Sequence, residues 1–560
     1  MSARPSPISA LSSSRRPSTS RSGSRASAAA GRSPLIARDV VVSYGTRQVL
    51  TGVDFRASPG QRVGLVGGNG SGKSTLLRVL AGRQEPDGGS VVRPADLVHL
   101  PQDPVFPDGA TIGGLLDRAL RPLHQAVRAV EVLGAALADD DARDGQAYAD
   151  ALAWAQDHDA WDADRRAEVA AERLGVAELD RARPVAALSG GQRSRVALAA
   201  ALIRLPGCLL LDEPTNHLDD AAVELVESTC RLMPGVVVVA SHDRVFLDRV
   251  CTHLVDLDPA ALGTDGEGGN RFTGGFSDYL RVQAAARARW ERAYADQQGE
   301  LERLRAATRV DTRDIAPGRG PRDNDKFVTK FKGARVDRTV ARRVHDAERR
   351  LAVAEREALP RPPEPLRFAG TLTAAGGAVT VSRLRVAGRL RLDALSLAPG
   401  DRLLVTGANG SGKSTLLAVL AGRLLPSSGT VQVTGRVDIL EQDSAFPEPD
   451  LPVLEAYARA VGERRAEETP LRSLGLLPPA AYAVAVGALS TGQQRRLALA
   501  VLVADPPDVL LLDEPTNHLS LALVGELEEA LAAAPGTVVL ASHDRWLRER
   551  WEGSRLTLPG

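Results

Sequence analysis

The chain has 560 residues, which leaves room for several domains with large cores. Its 70 basic and 70 acidic side chains give a formal net charge of zero, so no overall field attracts the molecule to nucleic acid or to an anionic membrane. No apolar run approaches the roughly 20 residues that cross a bilayer. The spacing of Cys208, Cys230 and Cys251 fits neither a disulfide framework nor a zinc site, which favours core positions in a reducing, cytoplasmic compartment.

The first 34 residues are mostly Ser, Arg, Ala and Pro and contain no acidic side chain. We expect a disordered basic tail over residues 1–34, because this composition offers little to bury. An organellar transit peptide, or a start codon assigned too early, is the alternative. A secretory signal is excluded, because the segment has no apolar stretch.

The chain then contains an internal repeat, which decides its architecture before any single motif does. Four motifs occur twice in the same order: GGNGSGKSTLL from Gly67 and GANGSGKSTLL from Gly407, LSGGQRSRVALA from Leu188 and LSTGQQRRLALA from Leu489, LLLDEPTNHL from Leu209 and from Leu510, and ASHDR from Ala240 and from Ala541. The sequence therefore predicts two copies of one domain, over residues 35–274 and 362–560.

The first copy carries an insertion. Lys413 follows Lys73 by 340 residues, whereas Ser490 follows Ser189 by only 301, so the first copy has 39 extra residues before Ser189. Apolar residues there recur at helical spacing on both sides of the turn signal ADDDARDG. We expect a helical hairpin, an arm, over about 115–160.

A charged helical linker is predicted between the copies, over residues 275–361. Two helical patterns flank a loop that begins with APGRGPRDND, and prolines end the second pattern. Residues 281–357 contain 20 basic and 13 acidic side chains. The excess is concentrated at Arg319, Arg322, Lys326, Lys330, Lys332 and Arg335, beside Phe327 and Phe331. Cations mixed with aromatic rings favour contact with RNA over the alternative of a solvated helix surface.

Each GxxxxGKST segment lies between an apolar strand pattern and a helical pattern, which is the context of a phosphate-binding loop. Lys73 and Lys413 are expected to bridge the β- and γ-phosphates, and Ser74 and Ser414 to bind Mg²⁺. The predicted nucleotide-binding residues of the two loops are Gly67, Asn69, Gly70, Gly72, Lys73, Ser74 and Thr75, and Gly407, Asn409, Gly410, Gly412, Lys413, Ser414 and Thr415.

Acidic and polar residues at the ends of the other strand patterns complete the predicted chemistry. Asp212 and Asp513 are expected to hold hydrated Mg²⁺, and Glu213 and Glu514 to act as general bases toward the attacking water. Paired acids at one strand end could merely cap a helix, but the pair occurs after the same apolar run in both copies. The remaining predicted residues are Gln102 and Gln442 as metal and water ligands, and His242 and His543 as partners of the γ-phosphate.

These motifs together resemble the ATP-binding-cassette family, and LSGGQ separates that family from other phosphate-loop ATPases. The resemblance implies an α/β fold with two phosphate-loop nucleotide-binding domains, joined here by a helical hairpin linker, and ATP with Mg²⁺ as ligand. In that family the LSGGQ segment of one cassette closes over the nucleotide held by the other. This implies nucleotide contacts from Ser189, Gly190, Gly191 and Gln192 in the first copy and from Ser490, Gly492 and Gln493 in the second.

The copies are not equivalent. Tyr44 stands where the family stacks an aromatic ring on adenine, whereas the corresponding position near Leu384 has no aromatic residue nearby. Thr491 replaces the first glycine of LSGGQ, and Ser520 stands where the first copy has Asp219. Both glutamates and both histidines are present, so we expect hydrolysis at both sites but not equal rates.

Tandem cassettes, DEPTNHL in both, the arm and a charged linker starting near FTGGFSDYL resemble the ABC-F family of soluble translation factors. The resemblance implies a monomer whose cassettes pair internally, with the linker directed at ribosomal RNA and the P-site tRNA and the arm near the E site. The linker segment DNDKFVTKFKGARVDRTVARR resembles the members that dislodge macrolide- or lincosamide-type drugs from the ribosome. The alternatives are a general translation factor and the ATP-binding subunit of a drug exporter whose membrane chains are separate.

Overall fold

The computed structural model describes residues 33–559 except for 46, 69, 138–143, 217, 258–269, 310–341, 363–376, 408–409, 442–445, 517–520 and 535. The following predicted features lie outside the described residues: nearly all of the basic tail, the cationic linker loop, Asn69, Asn409, Gln442 and Ser520.

Strands and helices alternate along both copies of the repeat. The strands are β1 Leu35–Tyr44, β2 Arg47–Ala57, β3 Arg62–Val66, β4 Gly88–Val92, β5 Leu97–Leu100, β6 Cys208–Asp212, β7 Val236–Ala240, β8 His253–Asp256, β9 Asn270–Thr273, β10 Val379–Val386, β11 Leu390–Leu397, β12 Arg402–Thr406, β13 Ser428–Val433, β14 Val437–Leu440, β15 Val509–Asp513, β16 Thr537–Ala541 and β17 Ser554–Thr557. The α-helices are α1 Lys73–Leu80, α2 Ile112–Ala136, α3 Asp144–Asp157, α4 Ala163–Arg173, α5 Gly190–Arg204, α6 Asp220–Leu232, α7 Arg244–Val250, α8 Phe276–Thr308, α9 over 342–356, α10 Lys413–Leu420, α11 Val453–Val461, α12 Glu463–Glu468, α13 Thr491–Ala504, α14 Leu521–Ala532 and α15 Arg545–Arg550.

A central sheet organises each half of the molecule. The first has the strand order β5-β6-β7-β3-β8-β9 and the second β14-β15-β16-β12-β17. Their neighbouring strands pair in parallel except for β8 with β9. Every residue of β6, β7, β15 and β16 is buried, which explains why their sequences are apolar runs rather than alternating patterns. We call the half with the first sheet the first lobe and the half with the second sheet the second lobe.

Each central sheet is covered on both faces. In the first lobe, α1 and the antiparallel sheet β2-β1-β4 pack on the face that carries Cys208 and Leu210. Helices α2, α4, α5 and α6 pack on the opposite face, which carries Leu209 and Leu211. The second lobe repeats this arrangement, with β11-β10-β13 and α10 on one face and α11, α13 and α14 on the other. Both lobes therefore have the layered α/β architecture that the sequence predicts.

The segment where the arm is predicted contains two helices that contact each other, α2 and α3. Thr111 caps the N-terminus of α2, because its side chain accepts a hydrogen bond from the backbone N–H of Gly114 at 3.2 Å. The first turns of α2 are buried against the first lobe through Ile112 and Leu116, whereas Val132 near its end is 68% exposed. The arm thus leaves the lobe along α2.

The linker begins with the 33-residue helix α8, which at about 1.5 Å per residue is on the order of 50 Å long. Helix α9 and the residues that follow it run back beside α8, and two contacts tie these segments together. Trp290 Nε1 donates to the carbonyl oxygen of Pro360 at 3.0 Å, and Arg305 pairs with Glu355 at 2.9 Å. Among the helices of the described residues, none is both long and apolar enough to cross a membrane.

The start of the linker packs between the lobes. Phe276 and Tyr279 of α8 lie in one buried cluster with α7 of the first lobe and Trp546 of the second. The Phe276 and Trp546 rings meet edge to face, with centroids 5.4 Å apart and planes at 83°. The guanidinium of Arg550, which like Trp546 belongs to the second lobe, lies 3.8 Å from the centroid of the Trp546 ring. Trp546 therefore joins the second lobe to the base of the linker.

We predict that Trp546→Ala lowers the free energy of unfolding by about 3 kcal/mol, because it empties a site that is 5% exposed and removes the edge contact with Phe276. Urea denaturation followed by circular dichroism measures the change. Trp161→Ala is the matched control: Trp161 is 54% exposed, so its loss should change stability by less than about 0.5 kcal/mol. Equal effects of the two substitutions would contradict the packing described for Trp546.

Candidate nucleotide-binding site

A cleft of about 1870 Å³ lies between the two lobes. Its lining includes these predicted residues of the first copy: Tyr44, Gly70, Gly72, Lys73, Ser74, Thr75, Gln102, Asp212, Glu213 and His242. It includes these of the second: Gly407, Gly410, Gly412, Lys413, Ser414, Thr415, Asp513, Glu514 and His543. The fold brings both sets together because parallel strands place their carboxyl ends at one edge of each sheet, and the two edges share the cleft.

Each phosphate loop connects a buried strand to a helix, β3 to α1 and β12 to α10. Gly72 and Gly412 precede the helices with φ of 99° and 95°, a backbone conformation that favours glycine. A Cβ on Gly412 would lie 2.6 Å from the carbonyl oxygen of Arg389, so no side chain fits there. The loops therefore present backbone N–H groups and a helix N-terminus to the cleft, the arrangement that binds phosphate.

The two loop lysines are held inside their loops. Lys73 Nζ donates to the carbonyl oxygens of Gly67 and Gly68 at 2.8 and 3.2 Å, and Lys413 Nζ donates to that of Gly407 at 2.9 Å. Each lysine is 8% exposed. The ammonium groups are thus fixed at the bottom of the cleft, where they can bridge phosphate oxygens.

Two loop serines were missed by sequence reasoning. The hydroxyl oxygens of Ser71 and Ser411 are buried and have no hydrogen-bond partner within the described part of the chain. A buried hydroxyl without a partner costs about 1–3 kcal/mol, and a phosphate oxygen would accept its hydrogen bond. The repeated GSGKST contained the signal, since both serines stand between its two glycines.

The predicted magnesium ligands lie beside the loops. Asp212 and Asp513 end β6 and β15, and each accepts a hydrogen bond from the neighbouring loop serine, Ser74 or Ser414. Burial raises the pKa of both carboxyls. Carboxylate and hydroxyl oxygens are the ligands that Mg²⁺ prefers, so this donor set fits the predicted metal.

The two predicted general bases share an unusual backbone conformation. Glu213 and Glu514 have φ of 50° and 48°, the left-handed region that non-glycine residues rarely adopt. Their backbone N–H groups donate to the carbonyl oxygens of Ala240 and Ala541 at 2.8 and 2.9 Å, which hold the turn in place. The same strain at both copies aims the carboxylates into the cleft rather than along the strand.

The histidines contact these glutamates. The backbone N–H of His242 donates to Glu213 at 3.2 Å and that of His543 donates to Glu514 at 3.1 Å. The His543 ring lies closer to its carboxylate, with Nδ1 2.8 Å from Oε1, whereas His242 Nε2 lies 3.5 Å from Oε1. The hydrogen bond to Glu514 raises the pKa of His543, and burial raises the pKa of Glu213 to about 7.

Comparison with known proteins agrees with this geometry. The family model described as ABC transporter matches residues 50–216 and 390–517. The tylosin resistance ATP-binding protein of Streptomyces fradiae is 42% identical over 94% of this chain and 97% of its own length. The chain belongs to the ABC-F family. The energy-dependent translational throttle protein of Mycobacterium tuberculosis is 31% identical over 91% of this chain and 90% of its own length.

Solved structures match this ABC-F protein in fold. An archaeal ribosome recycling factor, solved in complex with the ribosomal stalk protein aP1, superposes with a TM-score of 0.52 at 21% identity, covering 90% of this chain and 84% of the other. The two lobes are therefore ATP-binding cassettes, and the protein is an ATPase that binds and hydrolyses ATP.

The LSGGQ-type segments of this ABC-F protein begin helices. Ser189 caps α5 and Ser490 caps α13, each in a reciprocal hydrogen-bond pair with the glutamine three residues later, Gln192 or Gln493. Gly190 and Gly191, like Gly492, lie in the first turns of these helices. Among the described residues, the lining of the cleft includes neither capping serine. Contact between these segments and the opposite phosphate loop therefore stays a prediction.

The two sites of this ABC-F protein differ around the same chemical groups. Tyr44 lines the first site, its hydroxyl bonded to Gln84 at 2.9 Å, whereas Arg389 lines the second beside its phosphate loop. Sequence reasoning also missed Arg495, which is 2% exposed and donates to the carbonyl oxygens of Asp513 and, at 2.6 Å, of Glu514. The first copy has Ser194 at that position. Arg495 therefore places a buried cation behind the second acid pair, and the corresponding residue of the first copy is uncharged.

We predict that hydrolysis at the first site falls as the pH falls through about 7. A general base acts when ionised, and the raised pKa of Glu213 means that its carboxylate is protonated below that pH. The measurement is ATP turnover against pH in a Glu514→Gln variant, which leaves the first site active. One pH unit below the pKa, turnover should fall roughly tenfold, with ATP binding unchanged. A flat profile down to pH 5.5 would contradict the raised pKa.

Proposed function

We propose that this ABC-F protein binds the ribosome and protects it from an antibiotic, using ATP-driven closure of its cassettes to position the linker hairpin near the peptidyl-transfer region. The observation that carries the proposal is the 42% identity to a tylosin resistance protein, which extends over nearly the full length of both chains. The likeness includes the linker and arm as well as the cassettes, and attachments of this kind decide what an ATPase acts on.

The proposed nucleotide chemistry uses the groups that line the cleft. Lys73 and Lys413 hold the phosphates, while Glu213 and Glu514 take a proton from the attacking water. His242 and His543 donate to the γ-phosphate. Mg²⁺, held through Ser74 and Asp212 at one site and through Ser414 and Asp513 at the other, would supply positive charge for the phosphate oxygens. Gln102 and Gln442 would complete that ligand set.

Closure is proposed to bring each LSGGQ-type segment onto the nucleotide of the other cassette. The N-terminus of a capped helix is a suitable partner for a γ-phosphate, because its backbone N–H groups and positive dipole end attract negative charge. Ser189 would then approach the loop of Lys413, and Ser490 the loop of Lys73. Loss of the γ-phosphate on hydrolysis would remove that attraction and release the cassettes.

The linker is suited to carry this movement outward. Helix α8 is on the order of 50 Å long, and its bonds to the returning segment make the pair stiff enough to act as a lever. The basic excess of residues 281–357 favours ribosomal RNA or tRNA at its far end. We propose domain limits at residues 35–274, 275–361 and 362–560, a monomer with an internal cassette pair, and work in the cytoplasm, where ribosomes are found.

A general role in translation is the second candidate. The 31% identity to an energy-dependent translational throttle protein, over 91% of this chain, favours it. The ATP-binding subunit of a drug exporter is the weaker alternative, because such a subunit needs a surface for membrane chains and has no use for a long basic hairpin.

We predict that a Glu213→Gln, Glu514→Gln double variant sediments with ribosomes when ATP is present, because it can close on ATP but cannot hydrolyse it. Sucrose-gradient fractionation of a lysate measures the distribution. The control is the same variant after nucleotide removal, which should leave the ribosome fractions. Recovery with the membrane pellet would instead support the exporter subunit.

We predict that the intact chain makes a susceptible bacterial host resistant to macrolide-type drugs, and that deletion of residues 313–335 abolishes this resistance. The deletion removes the cationic loop and leaves the residues of the cleft intact, so ATP turnover should persist. Growth on a drug panel and ATPase assays on purified protein measure the two effects. Unchanged susceptibility with the intact chain would favour the general translation role.

A further inference from the structure

The lobes are joined beside the cleft by a reciprocal set of ion pairs. Arg244 of the first lobe is 2% exposed, and its Nη2 contacts Glu528 at 2.5 Å and Asp544 at 2.6 Å, both in the second lobe. This contact could not be predicted from the sequence, because the partners lie 284 and 300 residues apart and no local pattern relates them.

A second set of ion pairs has the same pattern, with the arginine in the second lobe and the carboxylates in the first. Arg545 of the second lobe is 14% exposed, and its Nη1 lies 2.7 Å from Glu227 and 3.6 Å from Asp243 of the first lobe. Each member of this second set is the repeat counterpart of a member of the first, since Arg545, Glu528 and Asp544 follow Arg244, Glu227 and Asp243 by the same 301 residues. We call these six residues the reciprocal ion-pair cluster. Its pattern is that of a two-fold interface, in which residue i contacts j and j contacts i.

The cluster is continuous with the catalytic residues. The backbone N–H of Asp544 donates to Ser542 Oγ at 3.1 Å, and Ser542 Oγ lies 3.3 Å from Glu514 Oε2. Asp544 also caps α15, accepting a hydrogen bond from the backbone N–H of Trp546 at 2.9 Å. The position of Asp544, and with it the loop that carries His543, therefore depends on a cation from the first lobe.

The first lobe has the corresponding chain. The backbone N–H of Asp243 donates to Ser241 Oγ at 3.0 Å, and Asp243 caps α7 by accepting from the backbone N–H of Phe246 at 3.0 Å. The neighbouring His242 donates its own backbone N–H to Glu213. Arg545 therefore contacts the aspartate beside the histidine of the first site, just as Arg244 contacts the corresponding aspartate of the second site.

We propose that Arg244 and Arg545 are positioning residues that act across the interface, each setting the histidine loop and general base of the site in the opposite cassette. Neither arginine needs to touch nucleotide for this. Each holds the aspartate next to the opposite histidine, so that movement of one cassette shifts the catalytic groups of the other. The cluster couples the two ATP sites, independently of what the linker contacts.

Simple cohesion of the lobes would be an alternative role for the cluster. The neighbouring pair of Arg249 with Glu549 at 3.0 Å is suited to cohesion, because its side chains are 47% and 55% exposed. Arg249 also lies 3.6 Å from Glu227 and so adjoins the cluster at its exposed edge. Arg244 differs because it is buried and its guanidinium is shared between two carboxylates, one of which caps the helix that follows His543. A buried pair of this kind fixes geometry more than it adds stability.

The test uses full-length protein in which one site at a time is active. Glu213→Gln leaves the second site to hydrolyse ATP, and Glu514→Gln leaves the first. Arg244→Gln is introduced into both backgrounds, and turnover, ATP affinity and melting temperature are measured in each. Arg181→Gln is the matched control, since its pair with Asp117 is exposed and lies within the first lobe.

We expect Arg244→Gln to lower turnover at the second site by about tenfold, with a smaller effect at the first site although the arginine belongs to that cassette. Arg545→Gln should show the reverse preference, and it decides the question if Arg244→Gln does not fold. Combined with Asp544→Asn, Arg244→Gln should lower second-site turnover by less than the product of the single effects. A loss confined to the arginine's own cassette, an equal loss at both sites, or no loss at either site overturns the proposal.

Discussion

The rest of the structure is arranged around the junction between a buried parallel strand and a phosphate-binding helix. This junction occurs once in each lobe, and both copies face the same cleft. Strands β3 and β12 are apolar in their middle because both of their faces are covered, and the polar residues of the site lie beyond their carboxyl ends. There the glycines at positions 72 and 412 allow the chain to turn directly into α1 and α10. This constraint also explains why the lysines, acid pairs and histidines lie together, since neighbouring parallel strands of one sheet end at the same edge.

The geometry of the site costs free energy, because it strains the backbone and buries acidic groups. Glu213 and Glu514 adopt a left-handed backbone, and burial raises the pKa of Asp212 and Asp513. Such arrangements persist where the surrounding structure over-determines them, here through strand hydrogen bonds and the serines of the phosphate loops. A site prepared in this way needs little reorganisation when nucleotide enters, which is the condition for electrostatic stabilisation of phosphoryl transfer.

The two cassettes repeat one plan without being identical in their surroundings. Tyr44 lines one site and Arg389 the other, Arg495 lies behind one acid pair only, and His543 contacts its glutamate more closely than His242 does. The groups proposed to carry out hydrolysis are nevertheless the same at both sites. We expect such differences to change the rate of hydrolysis at each site and to leave the reaction itself unchanged. The ion pairs across the interface would then couple the two rates, as proposed above.

The repeat, the layered α/β class of each half and the phosphate loops, acid pairs and histidines that line the cleft could be predicted from the sequence, because these depend on apolar runs, glycine positions and motif order, which are local. Ser71 and Ser411 were within its reach, since they stand inside a recognised motif. How the halves meet became visible in the folded molecule alone: Trp546 packs against Phe276, and Arg244 and Arg545 pair with carboxylates of the opposite lobe. Contacts between residues hundreds of positions apart arise from the docking of folded surfaces, and no pattern along the chain encodes which charges will face each other.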